Sequence, residues 1–124
     1  MTSFKKMAYS CTEMRFFVSE TFYDHFVNNE ISCYIQVMDR TVKSCKAITL
    51  RCKDRDDIKR EVVCIHTMSG AADGLSRMIS FMGTQNVVPG VHYDKTCRDV
   101  LIKENGWEGL DMDNYEIIAF DLNK

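Results

Sequence analysis

The residues best suited to chemistry in this chain lie between positions 64 and 74. Cys64 and His66 are two apart in EVVCIHTM (61–68), and on a β-strand that spacing turns both side chains to one face. A thiol beside an imidazole, followed by a helix start, is an arrangement that lowers a cysteine pKa and makes a nucleophile. The sequence offers no third group to orient the imidazole. A small enzyme with a Cys64 nucleophile is therefore an alternative reading, and a histidine satisfied at the core or edge is the plainer one. Just downstream runs SGAADG, Ser69 to Gly74. Free N–H groups at a helix start attract anions, and Gly70 and Gly74 would let a phosphate reach the backbone. The phosphate-loop pattern requires a lysine after its last glycine, whereas here only Arg77 follows; the Gly-x-Gly-x-x-Gly fingerprint is also missing. The expected role of these small residues is tight packing of a helix start beneath a strand.

Other ligand-bearing residues are scattered. The six cysteines fall at 11, 33, 45, 52, 64 and 97 with no Cys-x-x-Cys spacing, which argues against a closed zinc site. Asp111 and Asp113 in DMDNYE imitate the start of a calcium loop, but Glu116 replaces the required glycine and Leu122 the terminal glutamate. His25 and His92 have no partner at metal spacing. The expectation is no metal and no cofactor.

Charge distribution is the more informative feature. The chain carries a formal net charge of −2. Between Arg40 and Arg60 eight basic residues stand against three acidic ones (Asp54, Asp56, Asp57). From Glu104 to Lys124 six acids stand against one lysine. Arg40, Lys43, Lys46, Lys53, Arg55, Lys59 and Arg60 are thus candidate partner-binding residues, facing an acidic partner or the acidic tail of a second copy. Nucleic acid is the alternative partner. It is weakened by the acidic pI of about 5.9 and by the lack of any aromatic between Arg40 and Arg60 on which bases could stack. The lone Trp107, between Gly106 and Gly109, is a core plug or a contact anchor.

The elements that position these residues follow from periodicity. Met14, Val18, Phe22 and Phe26 recur every four residues and predict a helix over 13–28 capped by Thr12, with a strand over 14–18 as the competing reading. The wide apolar arc of that helix would suit burial or self-association. Alternation in ISCYIQVM (31–38) and KAITLRC (46–52) predicts two strands, and EVVCIHTM a third, central one; their short polar links favour an antiparallel meander. Leu75, Met78, Ile79 and Met82 predict a helix with Ser69 as its cap and Gly83 at its end, followed by a loop, TQNVVPG. A second helix starts at Asp94 and stops at Asn105-Gly106, and YEIIAFDL (115–122) is a last strand.

The resulting order, α-β-β-β-α-α-β, predicts a single α+β domain over 1–124, with a mainly antiparallel sheet of about four strands and helices on one face. At 124 residues, 45% hydrophobic and 27% charged, the composition is that of a globular chain able to bury a core. No apolar run approaches a membrane span or a signal peptide, and no Asn-x-Ser/Thr occurs, which favours an intracellular protein, cytoplasmic or nuclear, with free cysteines. The function expected is a non-catalytic module binding another protein, with a homodimer as one form of that partnership.

Overall fold

The structure, a computed structural model, describes residues 8–122. The N-terminal stretch read for a signal peptide falls largely outside them. Strand β1 (Ala8–Phe17) is followed by helix α1 (Glu20–Val27), strands β2 (Cys33–Met38), β3 (Thr41–Arg51) and β4 (Ile58–Ser69), helices α2 (Gly74–Met82), α3 (Thr84–Val87) and α4 (Asp94–Asn105), a 3-10 turn at Met112–Asn114, and strand β5 (Glu116–Leu122). The class is α+β, as expected, but the sheet has five strands and is mixed.

The first difference is at the N-terminus. The helix expected over 13–28 is a strand followed by a shorter helix, because a four-residue stripe is also two strand periods, and β1 gains a full parallel pairing with β3 from Ala8↔Thr41 to Phe17↔Arg51. The helix begins only where Ser19, not Thr12, caps it: its Oγ accepts the Phe22 N–H at 3.2 Å. The apolar arc thereby divides, and Phe22, Tyr23 and Phe26 are spent on the core.

The second difference is topological. The strand order is β1-β3-β4-β5-β2. Only β3 and β4 form the expected hairpin; β2 pairs antiparallel with β5 at the far edge, so the predicted β2–β3–β4 meander does not form. The two residues between β2 and β3, Asp39 and Arg40, carry the chain from the edge strand β2 into β3 instead of closing a hairpin.

Strands β1 and β2 are opposite edges, which in a flat sheet would lie about 19 Å apart. Yet the rings of Phe16 on β1 and Tyr34 on β2 have centroids 5.3 Å apart, and Phe16 lies 5.7 Å from Phe120 on β5. The sheet therefore curls on itself. Strand β4 belongs to both halves, with β3 on one side and β5 on the other, and its pairing with β5 carries an irregularity between Val62 and Cys64. A bulge there bends the shared strand and raises its local twist. Helix α1 packs into the curl with Phe26 against Tyr34 at 5.7 Å. The Tyr34 hydroxyl, buried with its ring, accepts from Gln36 Nε2.

Helix α2 packs on β4 and β5, and α4 packs on α2, burying Leu75, Met78, Ile79, Cys97 and Leu101. Ile117 to Phe120 are consequently buried on both faces. The strand expected to be apolar on both faces, β4, is the middle one in order, but none of its side chains is fully buried. Among the described residues no helix is long and apolar enough to cross a membrane.

The glycine-rich stretch explains itself in this packing. A Cβ on Gly70 would stand 1.9 Å from the Met112 carbonyl oxygen, and one on Gly74 would stand 1.8 Å from that of Ser69. The Gly70 N–H donates to Tyr115 O at 2.9 Å, so the chain after β4 lies directly on the chain before β5. Between the glycines Ala72 and Asp73 are left-handed (φ 54° and 55°), and Asp73, not Ser69, occupies the cap position of α2; Ser69 Oγ accepts from the Ala71 N–H instead. The segment read as loop before α4 contains the single turn α3; α4 stops at Asn105 and Gly106 as expected, whereas Gly83, at φ 90° and ψ 125°, ends α2 without the left-handed helical turn expected of it.

Two substitutions separate close approach from loop strain. Gly70→Ala should lower unfolding free energy by more than about 2 kcal/mol, since backbone must move. Gly90→Ala, at φ +79° with open space around it, should cost about 1 kcal/mol. Urea denaturation of both variants checks the order.

Candidate functional site

The bulge in β4 sets Cys64 opposite Asp121 of β5, and two register positions further His66 stands opposite Ala119. Cys64 Sγ lies 3.3 Å from His66 Nε2 and 3.6 Å from Asp121 Oδ2. One ligand atom from each of the three residues lies within 4.8 Å of the others. Cys64 is exposed, and His66 and Asp121 are half-buried. The His66 ring is held edge-on by Phe81 of α2, centroids 5.1 Å apart.

The strand spacing thus brings Cys64 and His66 together as the sequence implied. Asp121 was missed because only strand pairing brings it across 57 positions. The one signal was a carboxylate inside an otherwise apolar strand, IIAFDL.

The three groups do not form a nucleophile relay. In such a relay the carboxylate orients the far nitrogen of the imidazole; here it contacts the sulfur itself. Desolvation of Sγ, and then the negative charge and hydrogen bond of Asp121, raise the Cys64 pKa above its ordinary value. A nucleophile needs the opposite shift. What the geometry offers is three donor atoms converging on one small volume at the surface. Burial also raises the other core thiols, Cys45 and Cys97 each to about 11, and Cys33 likewise goes up.

The basic segment divides into engaged arginines and exposed lysines. Arg40 pairs with Asp39 at 3.5 Å and Arg51 with Asp57 at 3.5 Å. Arg55 pairs with Asp24 at 3.1 Å and lies 4.3 Å from the Tyr23 ring centroid, while the Tyr23 hydroxyl donates to Asp56 O at 2.6 Å. Arg60 donates to Phe26 O at 2.8 Å, at the C-terminal end of α1. These contacts fasten α1 to the β3–β4 hairpin. Lys43, Lys46, Lys53 and Lys59 are exposed, and among the described residues none of them forms a salt bridge. Lys46 and Lys59 line an open groove of about 440 Å³ with Thr12, Ala47 and Glu61.

Trp107 is 9% exposed and belongs to the core; its backbone N–H donates to Ile102 O at 2.9 Å. It also lines a second cavity, of about 430 Å³, with Arg98, Glu108, Asp111 and Asp113. Asp111 does not hold a calcium-loop geometry. It caps the 3-10 turn, accepting from the Asp113 N–H and from Asn114 Nδ2. His25, in the last turn of α1, contacts Glu30 at 3.0 Å, and His92 contacts Gln85 of α3 at 2.8 Å.

The charge of Asp121 on the thiol yields a direct test. In chelator-containing buffer at pH 8, Asp121→Asn should label with iodoacetamide at Cys64 several-fold faster than the wild type, because removing the neighbouring negative charge lowers the thiol pKa and raises the thiolate fraction. Site-resolved mass spectrometry reads the rate.

No protein-family model matches the chain, and no curated protein matches its sequence. A solved structure, that of the hypothetical protein PH0355, is similar over 90% of this chain and 98% of its own, with 15% sequence identity and a TM-score of 0.65. At that identity the likeness is one of fold: the curled five-stranded arrangement is shared with a protein of quite different sequence.

Proposed function

We propose that this protein is a non-catalytic interaction module, working inside the cell, that binds an acidic segment of another protein in the open groove on the surface of β1, β3 and β4. The observation that carries the reading is the division of labour within the basic segment. Arg51 and Arg55 are spent on aspartates and Arg60 on backbone at the end of α1, whereas Lys46 and Lys59 line an open groove together with Glu61. A flexible lysine held in water keeps its charge available to a partner at little desolvation cost. The six cysteines are all free thiols, which suits a reducing compartment. Of the N-terminal apolar arc, Phe22, Tyr23 and Phe26 lie in the core and Val27 is exposed; a second copy is one form that the partner can take.

A polyglutamate peptide is the simplest probe. The wild type should bind it saturably, and Lys46→Glu/Lys59→Glu should weaken binding about tenfold, as expected of two exposed charge contacts reversed. Lys95→Glu, on α4, serves as the control and should change little. No binding, or equal binding by wild type and double variant, would overturn the reading. Tighter binding to duplex DNA than to the peptide, with a steep salt slope, would transfer the groove to nucleic acid.

A further inference from the structure

We propose that Cys64, His66 and Asp121 form a binding site for a zinc-class divalent cation, with three protein ligands and a fourth position open to solvent. A tetrahedral zinc bound at about 2.3 Å to sulfur and about 2.0–2.1 Å to nitrogen or oxygen holds its donors about 3.4–3.6 Å apart. Cys64 Sγ already stands 3.3 Å from His66 Nε2 and 3.6 Å from Asp121 Oδ2. Two of the three donor–donor edges are therefore at coordination length, and the third lies within 4.8 Å.

The donor types agree with the geometry. A thiolate with an imidazole and a carboxylate selects a borderline metal over magnesium or calcium, which take oxygen. The scaffold is rigid where it needs to be. Cys64 and His66 come from one strand and Asp121 from its register partner, so the ligands are fixed by backbone pairing, and Phe81 fixes the plane of the imidazole. Coordination converts the Cys64 thiol to thiolate and releases its proton to water, and the cation balances the thiolate and the Asp121 carboxylate. Because the ligands span β4 and β5, the ion would clamp those strands beside the bulge.

Cobalt(II) is the probe, added to the full chain after chelator treatment and reduction. The wild type should give one equivalent of tetrahedral cobalt with a thiolate-to-cobalt charge-transfer band, displaced by zinc. Cys64→Ser and His66→Ala should each lose the band and reduce affinity about a hundredfold or more, while Cys52→Ser keeps it. Zinc should also raise the melting temperature of the wild type and not that of Cys64→Ser. Absence of the charge-transfer band in the wild type overturns the proposal, as does a band that survives Cys64→Ser or His66→Ala. The wild-type spectrum decides the matter even if Asp121→Asn fails to fold.

Discussion

Everything in this molecule depends on one strand serving two half-sheets. Strand β4 pairs with β3 along its first half and with β5 along its second. For the two edges to meet over a common core, β4 must bend between them. The bulge between Val62 and Cys64 supplies that bend, at the cost of a locally interrupted ladder. Phe16, Tyr34 and Phe120 then come into contact from β1, β2 and β5, and α1 inserts Phe26 into the same aromatic cluster. A flat version of the same sheet would leave Phe16 and Tyr34 in water at opposite edges, and the apolar faces of β1 and α1 would have nothing to pack on.

The same bend places the chemistry. At the bulge Cys64 faces Asp121, and Val63 is left 62% exposed beside it. Phe81 of α2, itself 63% exposed, leans on His66 from the helical side. The cluster thus sits where the curl and the helical layer meet, a seam that is rigid in backbone and open in surface. The lysine groove lies instead on the β3–β4 hairpin, beside β1. Charges of the basic segment divide by residue type. The planar, multidentate guanidinium groups of Arg55 and Arg60 hold α1 to the hairpin at the surface, and the lysines stay exposed.

How much of this was readable in the sequence varied by level. Strands β2 and β5 and helix α4 were legible as elements, and Gly106 adopts a left-handed turn where the helix stops; of β3 only the second half was legible, since the strand begins at Thr41 inside the stretch read as a link, and Thr49, read as facing outward, is buried with Ile48 and Leu50. Strand β1 was misread as helix because Met14 and Val18 satisfy both periods, and only the partner β3 decides between them. The meander was misread because sequence neighbours need not be sheet neighbours: β2 finds β5, with pairs from Met38↔Glu116 to Cys33↔Asp121. Asp121 beside Cys64 and Asp24 beside Arg55 were invisible for the same reason. Local pattern sets elements, whereas long-range register sets sites.

The claim on which the rest stands is the curl, and proton–proton cross-relaxation in solution measures it directly. Cross-peaks between the ring protons of Phe16 and Tyr34 should appear together with the cross-strand contact of Cys64 and Asp121. Ring protons of Phe16 that show no contact with Tyr34 or Phe120, in a sheet otherwise paired as described, would mean an open sheet and would contradict the account.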